Sequence, residues 1–178
     1  MCLRLVGSEM CIRDSDYGIP GSLEGHIDGV DIKMTKRTQK FNYHTDLSFL
    51  GFTRLDIDQR FISYSHSEYE NGNDYSTVSL GQDIISFQSF LSSKHTKIGT
   101  ALRHRAYKAG GFYWTPDTEE MKGAIFGLHE KRVRSIIFQI SSRIEYLLLK
   151  PERSFLFLLN ILEDDVINKK YIIYSGAI

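Results

Sequence analysis

Residues 136–149 (IIFQISSRIEYLLL) alternate between apolar and polar side chains with a period of two. Phe138, Ile140, Ile144, Tyr146 and Leu148 fall on one parity, Gln139, Ser141, Arg143 and Glu145 on the other, and Ser142 is the one small polar break in the apolar set. In an extended chain successive side chains point to opposite faces, so each parity meets a different environment. The stretch before it, 97–135, repeats the theme: an extended segment at 97–107, a polar loop at 108–120 carrying the aromatic cluster Phe112, Tyr113 and Trp114, a second extended segment at 121–131, and a short polar turn at 132–135.

Upstream, 16–29 reads as a loop, with four glycines and a proline in a polar setting. Residues 30–49 form a long extended segment whose parity switches across 36–40. Val30, Ile32 and Met34 share one face, and Phe41, Tyr43, Thr45, Leu47 and Phe49 the other, which fits either a bulge or two environments along one strand. Leu50–Gly51 reverses the chain into 52–69, where Leu55, Ile57 and Phe61 share a parity that Ile62 and Tyr64 break. Asn71-Gly72 centres a strong turn. The next extended segment lies within 76–92, with Ile85, Phe87 and Leu91 in register, and 93–96 is a short turn. After Pro151 come apolar 155–162, a polar loop and 171–178. The total is about eight extended segments, many longer than the roughly 5–6 residues of a globular strand. Short turns near Gly51, Lys94 and Arg132 alternate with longer connections near Gly21, Gly72, Thr115 and Pro151, as an up-and-down antiparallel meander requires. Residues 154–161 and 136–150 also admit a helical reading by apolarity, but their β-branched and aromatic content and period of two favour strands. The fold class expected is therefore all-β, and long strands with connections of unequal length at the two ends describe part of a large transmembrane β-barrel.

Composition narrows the classes. With 178 residues and a formal net charge of zero, there is no basic excess to suggest nucleic acid. No acidic run reads as a solvating tail, and three prolines among many aromatics argue against disorder. No apolar run reaches the roughly 18 residues of a membrane helix, which leaves crossing by strands open. Cys2 and Cys11 both precede Ser15, so the body of the chain holds neither a thiolate zinc site nor a disulfide framework. Residues 1–15 (MCLRLVGSEMCIRDS) lack the continuous apolar core of a signal peptide, Arg4 and Glu9 interrupting it. Their tail is similar to adapter sequence read through at the ends of translated environmental reads. They are expected to be a non-native leader or a short arm, with 16–178 as the functional unit.

Several segments, in order, resemble one family. Tyr17-Gly18-Ile19-Pro20-Gly21, a polar loop and then Gly29-Val30-Asp31-Ile32-Lys33-Met34 look like the YG-[IV]-PG loop and GVRIDL-like strand of TonB-dependent outer-membrane receptors, in the branch that includes zinc-uptake receptors. Residues 63–72 (SYSHSEYENG) resemble its Y-x-H-x-E-x-E-G strand end, and 102–111 (LRHRAYKAGG) with Pro116 its RHRDF-x-A-x-G…P segment. Residues 127–131 and 143–146 (RIEY) resemble its L-x-E-E and RYE strands. The resemblance spans about 16–152. It implies an internal fragment of the barrel domain in the outer membrane of a Gram-negative bacterium, with outer-membrane lipid around it, an extracellular small substrate and, for the full-length protein, the TonB complex as partners. The family's plug domain, signal sequence, TonB-binding segment and final aromatic-ended strand find no counterpart in these residues, and such transporters have roughly 22 strands.

The resemblance also suggests metal or metal-chelate uptake, with zinc or a chelate as transported substrate and no resident cofactor. Two groups are candidate metal ligands, since imidazole and carboxylate bind zinc at neutral pH. One is His26 with Glu24 and Asp28, where a single histidine falls short of the usual three or four ligands and a solvated polar loop is the plainer account. The other is His66, Glu68 and Glu70, which alternation places on one strand face beside Asp74, where a water-facing strand end explains them as well. His104, between Arg103 and Arg105, is a poor cation ligand because neighbouring charges oppose a second cation. Arg103, Arg105 and Arg143 are expected to line a lumen or to pair with carboxylates across strands. Phe112, Tyr113 and Trp114 fit an interfacial aromatic girdle better than a ligand contact.

No enzyme is expected. No serine sits in a G-x-S-x-G elbow, His129-Glu130 is not followed by the second histidine of H-E-x-x-H, and the glycine-rich loops lack a P-loop ending. The leading reading is thus a fragment of a TonB-dependent importer. A passive porin-like or structural outer-membrane barrel and a soluble ligand-binding β-domain stand as alternatives.

Overall fold

The computed structural model describes residues 4–20, 29–70, 74–111, 116–152 and 168–177. Eight strands make one antiparallel sheet in chain order: β1 (Arg4–Ile19), β2 (Val30–Phe49), β3 (Phe52–Glu70), β4 (Val78–Ser92), β5 (Thr96–Gly111), β6 (Thr118–Val133), β7 (Ile136–Pro151) and β8 (Lys169–Ala177). β1 and β8 are its two edges, so the sheet is a meander that does not close on itself. A 16-residue strand such as β5 or β7 spans about 50 Å.

The short ends are built by local chemistry. At Leu50 (φ 49°) and Gly51 (φ 82°) two consecutive left-handed residues join β2 to β3, the twist-compatible form of a two-residue hairpin. Between β4 and β5 the Ser93 amide donates to the Thr96 carbonyl at 2.8 Å, and the Thr96 amide returns a bond to Ser93 Oγ at 3.0 Å. Arg134 (φ 56°) turns β6 into β7. The Asn-Gly turn at 71–72, the aromatic cluster at 112–114 and the apolar segment at 155–162 lie outside the described residues.

Register resolves the parity switch in β2. Pairing with β3 runs unbroken from Val30↔Glu70 to Asp46↔Arg54, with its irregularity only beyond Asp46. The switch is therefore two environments along one strand and not a bulge. Two boundaries differ from expectation. The loop at 16–29 starts later, because Asp16–Ile19 completes β1 opposite Val30–Lys33. The loop at 108–120 is shorter, because Gly110 and Gly111 pair with Ser79 and Val78, and Thr118 with Tyr107. Gly110 marks close approach within a ladder, since a Cβ there would lie 2.5 Å from Ser79 Oγ, and Gly111 ends β5 in a left-handed conformation (φ 81°). β1 also takes up residues expected as a leader. An open strand edge pairs with extended backbone through N–H and C=O groups, whatever the side chains. Eight strands are found where about eight were expected, but their membership differs, since β1 enters the count and 155–162 is outside it.

The sheet has a single layer. Among the described residues Ile32 and Ala124 are the buried hydrophobics, and no large side chain is fully buried. The chain exposes 13427 Å², where a compact protein of this size exposes about 9,000 Å². Directly opposed residues of an antiparallel pair share a face, so the register sorts side chains across all eight strands. One face carries Arg54, Asp56, His66, Arg103, Glu120 and Glu145; the other carries Phe61, Ile85, Leu102, Ile125, Ile144 and Tyr174. β7 is a strand, and its two parities separate onto these faces as the alternation predicts.

Close approach at Gly99 tests this packing. A Cβ there would meet the Phe126 ring and the Ser89 carbonyl oxygen, each at 2.7 Å, whereas one at Gly123 would first meet Leu102 at 3.5 Å. Gly99→Ala is expected to lower stability by about 1–3 kcal/mol and Gly123→Ala by under about 0.5 kcal/mol. Urea midpoints in detergent micelles, followed by circular dichroism, check the difference; equal midpoints would contradict the packing.

Candidate functional site: a charged ladder on one face

β5, β6 and β7 bring six charged side chains onto the polar face through register alone. Arg105 stands directly opposite Glu120 and donates from its terminal nitrogen to Oε2 at 2.9 Å. Arg103, two residues earlier, reaches Oε1 of the same carboxylate, with Nε at 3.1 Å. Glu120 is thereby clamped between two guanidiniums and is only 7% exposed. Next to it Glu145, 9% exposed, takes Lys122 on one oxygen and Arg143 on the other, Arg143 donating through Nε at 3.0 Å and a terminal nitrogen at 2.8 Å.

The geometry follows from a conflict. Arg103 and Lys122 are directly opposite each other, and like charges in that position repel. Each leans to a diagonal carboxylate, Arg103 to Glu120 and Lys122 to Glu145. Both carboxylates accept charge-assisted hydrogen bonds on both oxygens, which offsets their removal from water.

Two further features share this face. Towards the short turns, Phe90 and Phe126 meet edge-to-face with centroids 5.4 Å apart, Lys97 Nζ lies 4.2 Å from the Phe90 centroid and the Arg143 guanidinium 5.4 Å from that of Phe126. Arg54 and Asp56 form a forked pair at 2.6–3.0 Å.

Of the candidate metal ligands, His26 lies outside the described residues, with Glu24 and Asp28. His66, Glu68 and Glu70 share the polar face at the end of β3, opposite Met34, Ile32 and Val30. His66 Nε2 is 2.8 Å from Glu68 Oε1, and its Nδ1 is 3.4 Å from the Tyr64 hydroxyl, so both ring nitrogens face a neighbour on their own strand. Among the described residues no three His, Cys, Asp or Glu side chains converge where they could hold a metal ion. His104 is separated from Arg103 and Arg105 by alternation itself: it lies on the apolar face opposite Ile85 and Met121. Its neighbours along the chain are therefore not its neighbours in space.

Arg103 and Arg105 pair with a carboxylate across strands as expected, whereas Arg143 pairs within its own strand, with Glu145 two residues on. The hubs Glu120 and Glu145 are legible as R-x-R, E-x-K and R-x-E at 103–105, 120–122 and 143–145, but only register shows that these segments share a carboxylate. Set against protein-family models, curated proteins and solved structures, the chain matches none.

Glu120→Gln would leave two guanidiniums beside a neutral amide. With both arginines partly solvated, the expected cost is about 2–3 kcal/mol, and Asp56→Asn in the exposed Arg54 pair is expected to cost less. Urea titrations of both variants in detergent micelles check this; a Glu120→Gln loss no larger than that of Asp56→Asn would contradict the clamp.

Proposed function

We propose that the chain is part of an outer-membrane β-barrel that serves TonB-dependent uptake of a metal ion or metal chelate. One observation carries the membrane part: the sheet buries Glu120 and Glu145 on one face and presents Ile85, Leu102, Ile125, Ile140 and Ile144, all exposed, on the other. Ile125 is 68%, Ile140 57% and Tyr174 71% exposed, while Glu120 and Glu145 are buried. In water this is an unfavourable arrangement, at roughly 25 cal/mol for each Å² of apolar surface left wet. Against lipid tails the same surface is at home, and the charged face then meets water inside a barrel.

The apolar face has an upper border that supports the reading. On β3, β4 and β7 it carries Leu55, Ile57 and Phe61, then Ile85, Phe87 and Leu91, then Ile136, Phe138, Ile140, Ile144, Tyr146 and Leu148, interrupted by Gln59, Ser89 and Ser142 and, on β5, by His104, and it turns polar at Ser63, Asp83, Lys108, Glu119 and Lys150. All five lie towards the long connections, where strands leave the hydrocarbon region. A tilted strand needs about 9–11 residues to cross that region, and these strands are longer. Among the described residues no helix is long and apolar enough to cross a membrane, which says nothing of crossing by strands.

The importer part rests on the ordered motifs from Tyr17 to Tyr146, and the open edges of β1 and β8 suit a sheet continued by further strands. A passive porin-like barrel would use the same two faces; a plug-coding segment upstream in one uninterrupted reading frame would favour the importer, and its absence from the complete gene the passive barrel. A soluble ligand-binding β-domain is disfavoured by the wet apolar face. On dilution from urea the 178-residue chain is expected to aggregate in buffer and to regain β-structure in detergent micelles. A monomeric, β-rich chain in plain buffer would overturn the membrane reading.

A further inference from the structure

The hairpin of β6 and β7 runs past its neighbours at the short-turn end. The β4–β5 turn ends β5 at Thr96, which stands opposite His129, and β8 pairs with β7 only from Ser141. Beyond Glu130 the two strands form a ribbon of their own. In it Lys131 stands opposite Phe138, Arg132 opposite Ile137 and Val133 opposite Ile136, and Arg134 makes the turn. All the residues from 131 to 140 (KRVRSIIFQI) are exposed.

A lone two-stranded ribbon is marginal in water, and this one carries large apolar side chains on both faces: Val133, Ile136 and Phe138 on one, Ile137 on the other. Lys131, Arg132 and Arg134 are interleaved with them, and none makes an ion pair among the described residues. No carboxylate occurs from 131 to 140. Glu130, just before, accepts from Gln139 Nε2 at 2.7 Å. The β4–β5 turn adds exposed Lys94 and lies against β6, where the Glu130 amide donates to the His95 carbonyl at 2.8 Å. A chain that is neutral as a whole thus gathers positive charge at one end.

Strand length places that end in depth. On the apolar parity β7 runs from Leu148 to Ile136, about 40 Å along the strand and about 28 Å across a bilayer at a tilt of about 45°. The hydrocarbon region is about 30 Å thick. Leu148 lies just inside the polar border at Lys150, so Ile136 reaches the far border and the cations stand among the headgroups there. Lys131 lays its stem along the lipid-facing side, beside Phe138, with its ammonium directed to that surface. A protein groove would cover one face of the ribbon, whereas a bilayer interface surrounds it. Zwitterionic headgroups would leave the three cations without counter-charge; anionic headgroups supply it.

We infer that the β6–β7 tip, residues 131–140, binds anionic phospholipid headgroups and holds the short-turn end of the sheet at an anionic membrane surface. This rests on the membrane reading and adds to it the class of lipid.

The test uses the full chain in uncharged detergent micelles, with Cys2→Ser and Cys11→Ser, and a polarity-sensitive fluorophore attached through Ser135→Cys. Short-chain phosphatidylglycerol, short-chain phosphatidylcholine and glycerol phosphate are titrated in turn. Phosphatidylglycerol is expected to shift the emission at about a tenfold lower lipid fraction than phosphatidylcholine, a preference that fades as salt rises. Arg134→Gln should weaken the preference about fivefold, and Lys131→Gln, Arg132→Gln and Arg134→Gln together should abolish it. Arg132→Lys and Lys150→Gln, the latter at the other border, retain it. Circular dichroism of each variant confirms that the sheet persists. Equal response to the two lipids, an equal response to glycerol phosphate, or a preference that survives the triple variant would each overturn the inference. Quenching of tyrosine fluorescence by brominated lipid tails in phosphatidylcholine vesicles reports the membrane reading separately. Strong quenching without the lipid preference overturns the anionic contact alone; the preference without quenching retains the contact and overturns the barrel.

Discussion

A single-layer sheet has nowhere to hide an apolar face. In a soluble protein a second layer covers it, and the polar parity looks outward to water. Among the described residues here there is no second layer, and the backbone ladder from β1 to β8 fixes which side chains stand together. Everything else follows from that constraint. With a period of two, the ladder sends Phe138, Ile140 and Ile144 to one side and Arg143 and Glu145 to the other, and two different surroundings are needed to satisfy both.

The charged side of this division is held by diagonal ion pairs. Directly opposed Arg103 and Lys122 would repel, and they are reconciled by carboxylates one row to either side. Glu120 and Glu145 are thus structural hubs before they are anything else. Their burial on a sheet with almost no hydrophobic core is the inverse of the usual globular arrangement, in which charge stays wet and large apolar groups are covered. The same hubs set the electrostatics of the face, because each carboxylate is shared by two cations.

Much of this was legible in the sequence. Alternation over 136–149, the Leu50–Gly51 reversal and the short turn before Thr96 gave the strands, their order and the apolar parity. Glycines misled at 110 and 111, where Gly110 serves close approach to Ser79 within a ladder and Gly111 ends β5 in a left-handed conformation. The first strand was hidden because Met1–Ser15 has no alternation strong enough to mark it, and edge pairing depends on backbone groups. The site was less legible than the fold. Arg103, Arg105 and Arg143 stand out as residue types, but a sequence does not display register, so it does not show that Arg103 and Arg105 share Glu120 or that Lys122 joins Arg143 on Glu145. His104 illustrates the converse: adjacency along the chain suggested repulsion by two arginines that alternation in fact puts on the other face.

In the proposed barrel the two faces of one strand meet lipid and water. This is tested most directly by single spin labels placed along β7 from 137 to 149 in lipid vesicles, on a chain whose own cysteines have been replaced, reading collisions with oxygen and with a water-soluble nickel complex. Lipid on one face and water on the other give a period of two, with oxygen access highest at Phe138, Ile140, Ile144, Tyr146 and Leu148 and nickel access highest at Gln139, Ser141, Arg143 and Glu145. Uniform nickel access along the strand, or the opposite phase, would contradict it.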